Sequence, residues 1–600
     1  MEVWSTLRRY SMTVRHLRRR QLFWRAVHEL RLRFYRHAGP FAAALFREAT
    51  DARVVIQAPQ PPSSENIDEW RQLAALWLEG NVRYLALEGS RDDWSALEKP
   101  KLWRYEHQYH RELLALALVS AADEDDDLLR AAITFVENWS RACPPAAGDA
   151  WEPYPVARRI LNWSLAAVVC PTLAPHLAPA LAQHIRFLRY HLEYHLSGNH
   201  LLCDLSALVA GAMVIDFEGM GELGELAAHR LEHELGEQLL GDGGYVERTV
   251  QYHSIVLQDL MVAAALAKLR GRPLSEALTG RIATMLGWLQ SVQRANGDYP
   301  WLNDAAPDAT PKTSELIALG AGLGLVEKGG AGWLRQCLTG TTGRQPAAFD
   351  AQDLSLAETG WHFFRHQAHE VLFDVGPLGP PEQPGHGHSD TLAYELIWDS
   401  KPLVLDTGVS TYDRGSVRDY ERSTQAHATV TVNRSGPDEL WAAFRVARRG
   451  RLLTFESRRN GDLRRATAML EAAAGWRQTR TLQFQPGLIL LVSDAVDRVD
   501  ESAQLCSHIP LAPGWKTDGA QLCGFDTELQ LVVLRGSQPI VEEGWMSQGF
   551  GLRAARQVIC VPLTDGMSTY AFVSKDTRLE VKGDRLRVIA SGDTVELSLT

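Results

Sequence analysis

The hydrophobic period changes near the middle of the chain, and this change constrains the fold more than any other feature. Between about residue 65 and residue 340, apolar residues recur every three or four positions, as in 113–119 and 201–215. Such spacing places apolar side chains on one face of a helix, and breaks at Pro, Gly and Asp separate helices of ordinary length. The first half is therefore predicted to consist of stacked helical hairpins.

Strand-like runs dominate after residue 352. They occur at 361–364, 391–398, 488–492, 528–534 and 585–589, with Gly, Asp and Asn turns between them. Many short strands separated by such turns are typical of an antiparallel sandwich. We therefore predict a multidomain α+β chain. Its predicted parts are a helical extension (1–45), a helical domain (46–340), a linker (341–352) and a β-sandwich (353–600).

The first 45 residues are rich in arginine, with apolar residues interleaved at roughly helical spacing. This pattern predicts a basic amphipathic helix. Two interpretations stay open. The helix can dock on the main body of the protein, or it can make peripheral contact with an anionic membrane surface.

Composition excludes several classes of protein. A chain of 600 residues that is 45% hydrophobic is globular and has more than one domain. A net charge of -11 argues against nucleic-acid binding, which depends on basic patches, so an anionic polymer would need a locally basic cleft. Seven cysteines without paired CxxC spacing do not predict a disulfide framework.

Targeting signals are also missing from the pattern. We find no run of about 18 apolar residues of the kind that a membrane helix needs, and no signal-peptide features at the N-terminus. The sequence therefore predicts a cytoplasmic protein and leaves a periplasmic location open.

A histidine-rich segment in the second half is the first candidate for chemistry. His386 and His388 are two residues apart, so in an extended strand their side chains project to the same face. Asp406 and His427 follow on the next predicted strands. These are metal-ligand types, but histidines beside glycine are often only hydrogen-bonded structural residues.

Two polar segments interrupt the helical half. Asn199 and His200 precede an apolar helix, where Asn199 can simply act as a cap. Tyr252 follows the glycine turn 241–244 and can equally be a buried core tyrosine with a satisfied hydroxyl.

In their order and spacing, these segments resemble the heparinase II/III superfamily of polysaccharide lyases over roughly residues 75 to 510. The resemblance rests on the following residues: Asn199, His200, Asp242, Gly243, Gly244, Glu247, Arg248, Tyr252, His253, His386, Gly387, His388, Asp406 and His427. It implies an incomplete α/α toroid joined to an antiparallel β-sandwich, with the active site in the cleft between them. The two hydrophobic periods agree with that fold.

The resemblance also implies a reaction, which is β-elimination on a uronic-acid chain by loss of the C5 proton and of the oxygen at C4. Asn199 and His200 would neutralise the carboxylate beside C5. Tyr252 and His386 would transfer the protons, and which of them is the base stays open. Tyr420 is a candidate for a further site tyrosine. Arg159, like its neighbour Arg158, is a candidate carboxylate ligand or a helix-surface ion pair.

The metal and the partner follow from the same resemblance. His388, Asp406 and His427 would bind zinc in a structural role. The expected substrate is an acidic polysaccharide or oligosaccharide that resembles a glycosaminoglycan, alginate or a bacterial exopolysaccharide, and the oligomeric state is open. Glu247 and Asp304 are expected to be supporting carboxylates, and the aromatic residues at 103–109 either sugar subsites or core.

Two other functions compete with the lyase. One is a noncatalytic polysaccharide-binding or exopolysaccharide-assembly protein on the same scaffold, and the other is a metal-dependent glycan hydrolase. Asn199, Tyr252 and His386 together favour the lyase, because a binding protein needs no acid and base. A hydrolase would need two convergent carboxylates, which the sequence does not indicate.

Overall fold

The structure is a computed structural model that describes residues 2–37, 41, 45–46, 48–343, 352–590 and 593–599. Most of the predicted linker, from 344 to 351, lies outside the described residues. The helices are α1 Glu2–Val14, α2 Arg19–His37, α3 Asp68–Leu78, α4 Lys101–Tyr109, α5 Arg111–Asp123, α6 Asp126–Ala142, α7 Pro153–Val169, α8 Ala174–Leu188, α9 Gly198–Val214, α10 Met220–Gln238, α11 Val250–Leu269, α12 Glu276–Ser291, α13 Thr313–Leu323, α14 Trp333–Thr339 and α15 Ser416–Glu421. Short 3-10 turns occur at Ser64–Asn66, Asp149–Trp151, Pro307–Ala309 and Thr424–Ala426.

The strands of the toroidal half are few and short, and most strands follow residue 353. The strands are β1 Arg53–Val54, β2 Asn81–Tyr84, β3 Leu87–Ser90, β4 Ile215–Asp216, β5 Leu354–Leu356, β6 Trp361–His366, β7 His369–Asp374, β8 Tyr394–Trp398, β9 Lys401–Val404, β10 Val430–Val432, β11 Leu440–Trp441, β12 Arg445–Val446, β13 Arg451–Asn460, β14 Leu463–Glu471, β15 Arg477–Gln485, β16 Ile489–Asp497, β17 Leu505–Pro510, β18 Lys516–Asp518, β19 Gln521–Gly524, β20 Thr527–Arg535, β21 Ile540–Gly549, β22 Leu552–Pro562, β23 Met567–Ser574, β24 Arg578–Lys582, β25 Arg585–Ala590 and β26 Asp593–Ser598.

The helical half is organised around two apolar helices. Almost every residue of α9 is buried, and it packs against α7, α10 and α11. Capping sets the helix starts, since the Thr249 hydroxyl accepts a hydrogen bond from the backbone N–H of Tyr252 at the first turn of α11. The two central helices therefore begin at the positions that carry Asn199 and Tyr252.

One helix differs from expectation. The sequence indicated no segment apolar enough for a membrane span, yet α11 is 20 residues long with a mean hydropathy of 1.2. Of this apolar stretch of α11, 83% is buried inside the protein. A core helix that is surrounded by other helices is apolar on all sides for the same reason as a membrane span.

The second half is an antiparallel sandwich, as predicted. An eight-stranded sheet runs in the order β13-β14-β15-β16-β23-β20-β19-β18, beside a five-stranded sheet β5-β6-β7-β8-β9 and a four-stranded sheet β10-β17-β22-β21. Along β15, residues 482 and 484 point into the core that the sheets share. The expectation that the site histidines and Asp406 lie on strands is wrong, because His386, His388, Asp406 and His427 lie in the loops and turns that connect the strands.

Cys506 and Cys560 form a disulfide between the neighbouring strands β17 and β22. The cysteine spacing had not predicted a disulfide framework. Sequence spacing could not reveal this pair because the two cysteines are separated by 54 positions and meet only when the strands pair.

The two domains meet across an interface in which polar contacts accompany apolar packing. Asp242 of the toroid accepts hydrogen bonds from the backbone N–H groups of Glu358 and Thr359, at 2.8 and 2.6 Å. Arg294 of the toroid is buried and pairs with Glu370 and Glu395 of the sandwich. These contacts set the relative position of the two walls of the cleft between the domains.

Candidate active site

A cleft of about 1210 Å³ lies between the toroid and the sandwich. Asn199, His200 and Tyr252 line it from the toroid, and His386 and Tyr412 line it from the sandwich. The cleft brings the four predicted catalytic residues together.

Asn199 lies in the first turn of α9 and is almost completely buried at the cleft wall. Its side-chain Nδ2 donates to Glu247, at 3.1 and 3.2 Å from the two carboxylate oxygens. Its backbone N–H donates to the same carboxylate. Glu247 therefore fixes the orientation of the Asn199 amide.

His200 is held by a second carboxylate. Its Nδ1 lies 2.8 Å from Oε2 of Glu193, and its ring packs on that of Tyr154. Burial lowers the pKa of His200, but the negative charge and hydrogen bond of Glu193 outweigh burial, so the pKa lies above its usual value. The arrangement favours a cationic His200 at the cleft wall.

His386 is oriented by Asp304, which contributes two oxygens to two histidines. His386 Nδ1 lies 2.8 Å from Oδ2, and His388 Nε2 lies 2.9 Å from Oδ1. An ionised carboxylate can only accept, so the proton on His386 is at Nδ1 and the lone pair is at Nε2. The geometry leaves His386 Nε2 able to take a proton in the cleft.

Asp304 stays ionised although it is buried. Burial raises the pKa of Asp304, but Arg418, together with the two histidines, holds it well below its usual range. Arg418 is itself buried and donates to both carboxylate oxygens.

A close approach of two backbone segments requires a glycine between the two histidines. A Cβ at Gly387 would lie 1.8 Å from the backbone oxygen of Leu378. Any larger residue would push the segment away from its neighbour and move both histidines. The close approach explains the His-Gly-His spacing.

Tyr252 lies against His386, with ring centroids 4.0 Å apart. Its hydroxyl lies 2.8 Å from the hydroxyl of Tyr412. Burial, followed by the nearby Tyr412 and Asp304, raises the pKa of Tyr252 well above its usual value. Tyr252 therefore holds its proton at neutral pH, which suits a proton donor.

His388, Asp406 and His427 form a buried group that could hold a metal ion. One potential ligand atom of each lies within 4.8 Å of the others. The His427 Nδ1 atom is 2.7 Å from Asp406 Oδ2, and its Nε2 is 3.0 Å from the backbone oxygen of Glu421. The sequence predicted this set, and the structure brings it together.

The tautomers of the two histidines fit a cation. Nε2 of each donates to an oxygen that can only accept, so in the neutral ring the Nδ1 lone pair is left over. Burial lowers the pKa of His388 to about 4, and its Nδ1 is buried without a hydrogen-bond partner. A metal ion would satisfy these lone pairs together with the Asp406 carboxylate.

The two additional candidates lie outside the cleft lining. Arg159 is buried in the toroid, where it donates to the backbone oxygens of Gln108 and Ala150 and lies over the Trp139 ring. Tyr420 packs on Trp545. The neighbouring Arg158 does line the cleft, and it pairs with Asp259 at 2.5 Å.

The aromatic segment of α4 is divided between cleft and core. Tyr105 and Tyr109 line the cleft, whereas Trp103 and His107 are buried in the toroid. Helical periodicity explains the division, since residues four apart share a face.

Sequence reasoning missed Tyr412 and gave Asp304 only a supporting role. Tyr412 lies eight residues before Tyr420, in a loop whose path cannot be read from periodicity. Asp304 follows Asn303, whose φ of 62° places it in a tight turn, and this backbone conformation cannot be read from periodicity.

Two family models match this chain. Residues 64–317 match the model described as heparinase II/III N-terminus, and residues 350–584 match heparinase II/III-like, C-terminal. Together they cover most of the toroid and most of the sandwich.

The chain is also similar to a heparin-sulfate lyase from Bacteroides stercoris, with 22% identity over 309 residues. That match covers 48% of this chain and 44% of the relative, so it spans less than half of the relative's length.

Solved structures share the fold across both domains. The chain superimposes on a crystal structure of heparinase III with a TM-score of 0.72 and 15% identity, covering 95% of this chain and 97% of that one. A mutant of a heparan sulfate lyase from Pedobacter heparinus superimposes with a TM-score of 0.61 and 16% identity, covering 89% of each chain.

Proposed function

The chain belongs to the heparinase II/III family, and we propose that it is a polysaccharide lyase that cleaves a uronic-acid-containing acidic chain by β-elimination. One observation carries the proposal. The Tyr252 and His386 rings lie 4.0 Å apart, on opposite domains, beside the Asn199 and His200 pair. An acid, a base and a carboxylate-binding pair are the groups that this elimination requires.

Neutralising the uronate carboxylate is the first requirement, because removal of the C5 proton places further negative charge on that group. A cationic His200 and the Asn199 amide, each fixed by its own buried glutamate, supply this neutralisation. Because both donors are fixed before substrate binds, they need little reorganisation as charge develops.

His386 acts as the base in this proposal. Its Nε2 lone pair accepts the C5 proton, and the resulting imidazolium is stabilised by the Asp304 carboxylate on Nδ1. The ionised Asp304 thus acts through His386 and is a positioning residue.

Tyr252 acts as the acid. Its raised pKa keeps the hydroxyl protonated, so it gives its proton to the C4 oxygen as the bond from C4 to that oxygen breaks. The Tyr412 hydroxyl, 2.8 Å away, stabilises the phenolate that remains. The products are one chain with a C4 to C5 double bond and one with a free hydroxyl.

We infer that the metal is zinc and that its role is structural. Two imidazole nitrogens and one carboxylate oxygen are typical zinc ligands. When bound, zinc supplies a cross-link between the segments that carry His388, Asp406 and His427. His386 then keeps its position because it is only two residues from His388.

The substrate class is proposed from the relatives together with the cleft. The named relatives act on heparin or heparan sulfate, and a sulfated or unsulfated glycosaminoglycan contains the uronate that the site needs. An oligosaccharide of such a polymer is the first substrate to test.

The test follows the absorbance of the unsaturated uronate during incubation with heparan sulfate, other glycosaminoglycans, alginate and bacterial exopolysaccharides. We expect the signal to rise on at least one polymer and Tyr252→Phe to reduce the rate by about 100-fold or more. Tyr190→Phe is the matched control, since Tyr190 is exposed outside the cleft lining and should leave the rate unchanged.

Two outcomes would contradict the lyase. New reducing ends without an absorbance rise would indicate a hydrolase. Binding of a polymer without either signal would indicate the noncatalytic binding protein.

A further inference from the structure

The N-terminal helices α1 and α2, which we call the strap (residues 2–37), contact the sandwich at one end. Thr13 donates to the backbone oxygen of Val446 at 3.0 Å, and the Trp441 indole N–H donates to the Thr13 hydroxyl. The Tyr10 ring packs edge-on against Trp441, with centroids 4.7 Å apart, and its hydroxyl accepts a hydrogen bond from Arg445. Helix α1 is therefore attached to the hairpin β11–β12.

The other end of the strap contacts the toroid. The Trp24 ring packs on Tyr194 with centroids 5.0 Å apart, and His28 stacks on His195 at 4.2 Å. Tyr194 and His195 lie immediately before the turn that carries Asn199 and His200. Helix α2 is thus attached to the segment that leads into the carboxylate-binding pair.

The strap crosses the cleft on its outer side. Tyr10, Leu17 and Gln21 line the cleft, whereas Trp4 and Leu7 are exposed to solvent. Between the two helices, Arg18 pairs with Glu237 of the toroid and with the cleft residue Glu382. A segment that is attached to both walls and lines the space between them covers that end of the cleft.

Arg449 lines this covered end without a partner. Its Nε is buried and lacks a hydrogen-bond partner, and the guanidinium forms no ion pair with any residue in the described part of the chain. Asp438 and Glu382 attract this partly buried guanidinium, but neither forms a contact ion pair with it, so an anion that entered the cleft would gain by pairing with it directly.

The carboxylates near Arg449 are already engaged. Glu382 pairs with Arg18 at 2.5 Å. Asp438 accepts from Ser389 Oγ and from the backbone N–H of Gly450, each at 2.9 Å. Arg15 adds a further positive charge nearby. The balance of charge under the strap therefore favours an incoming oxyanion.

We propose that the covered end of the cleft is a terminal subsite in which Arg449 binds an oxyanion at the end of the substrate chain. The proposal rests on the proposed function and deepens it. The oxyanion is a uronate carboxylate or a sulfate. Because the strap blocks continuation of the chain beyond Arg449, the enzyme releases short products of uniform size from a chain end.

The size of the products tests the strap. Heparan sulfate digested by the full chain should yield one short unsaturated product from the earliest time, while the remaining polymer stays long. Tyr10→Ala/Thr13→Ala, which detaches α1 from the sandwich, should add longer products. A ladder of sizes from the parent protein, or a double variant with the parent's profile, would overturn the terminal subsite.

Kinetics test Arg449. On heparan sulfate tetrasaccharide, Arg449→Gln should raise KM about tenfold and change kcat less than about twofold, because the lost contact is made equally in the ground and transition states. Arg458→Gln is the matched control, since Arg458 is exposed on β13 and pairs with Glu456. Equal KM values for the two variants would overturn the proposal.

A binding measurement separates this proposal from the lyase assignment. In the Tyr252→Phe background, Arg449→Gln should weaken binding of the same tetrasaccharide about tenfold, measured by calorimetry. The measurement is repeated with a desulfated tetrasaccharide. If Arg449→Gln then no longer weakens binding, the oxyanion is a sulfate; if it still weakens binding, the oxyanion is a carboxylate. If the parent protein cleaves no polymer but binding still depends on Arg449, the lyase assignment is refuted and the terminal subsite is kept. If the parent protein cleaves the polymer but binding does not depend on Arg449, the lyase assignment is kept and the terminal subsite is refuted.

Discussion

At the scale of single residues, Asp304 organises the site. One carboxylate accepts from His386, His388 and Arg418, and so connects the proposed base, the candidate metal ligand and a buried cation. Because Arg418 keeps it ionised, Asp304 selects the Nδ1 proton of His386 without taking that proton itself. The same residue also sets the tautomer of His388, so the reactive histidine and the metal site share one support.

His200 leads to a prediction about pH. Its pKa is raised because Glu193 favours the charged ring, so its positive charge is present below that pKa and is lost as pH rises through it. We expect a bell-shaped profile of kcat/KM whose alkaline limb reports His200. Glu193→Gln removes the anion that raises the pKa and should move the alkaline limb to lower pH, with the acid limb unchanged.

Initial rates on one polymer across the pH range measure this shift. Glu225→Gln, an exposed position on α10, serves as the control and should reproduce the parent profile. If the alkaline limb of Glu193→Gln stays in place, a group other than His200 controls it.

At the scale of elements, the sequence predicted those helices and strands whose positions depend on local periodicity. The helices around 113–119 and 201–215 and the later strands could be predicted because caps, spacing and strand patterns are local. The metal set His388, Asp406 and His427 came instead from the resemblance to the heparinase II/III superfamily. What was missed depends on loop paths. Tyr412, and not Tyr420, lines the cleft, and Arg159, beside the cleft residue Arg158, is buried in the core. A shift of one residue on a helix moves a side chain to a different face.

The three candidate metal ligands lie on separate elements, which leads to a prediction about stability. Asp406 follows β9, and His427 follows the 3-10 turn Thr424–Ala426. A bound ion stabilises only the folded arrangement, by about 2.7 kcal/mol when its free concentration is 100 times its Kd. Because the whole chain is expected to unfold in one transition with a large unfolding entropy, we expect a chelator to lower Tm by only about 2 °C and to reduce activity.

Elemental analysis should find one zinc per chain in the parent protein and none in His388→Gln, whose Tm should no longer respond to chelator. His369→Gln, on β7 outside the metal group, is the matched control and should keep both the metal and the response. Equal responses in the parent and in His388→Gln would show that the metal does not bind at this site.

At the scale of the whole molecule, the active site exists only while the two domains are held together. Asn199, His200 and Tyr252 belong to the toroid, whereas His386 belongs to the sandwich. The contacts that join the domains combine apolar packing, such as Trp288 on Trp361, with buried polar and charged pairs such as that of Arg294 and Glu370. Polar contacts of this kind specify one relative position, because a shift would leave buried charges unpaired.

Arg294 provides the sharpest test of this coupling. It pairs with Glu370 at 3.1 Å and also with Glu395, whose other oxygen accepts from the backbone N–H of the metal ligand Asp406 at 2.9 Å. Removing one partner of a buried ion pair typically costs about 3–5 kcal/mol. Arg294→Ala should therefore lower the calorimetric midpoint and separate the unfolding of toroid and sandwich, which the parent protein should show as one transition.

The variant should also lose zinc and activity, since Glu395 would no longer be held beneath Asp406. Arg281→Ala is the matched control, because Arg281 donates to a backbone oxygen of the toroid alone, at 2.6 Å. A lower midpoint in Arg294→Ala with zinc content and activity intact would mean that the interface stabilises the fold without positioning the site. A lower midpoint together with loss of zinc and of activity would mean that the buried Arg294 guanidinium couples domain docking to the metal group. Through His388, the same coupling would reach His386, two residues earlier in the chain.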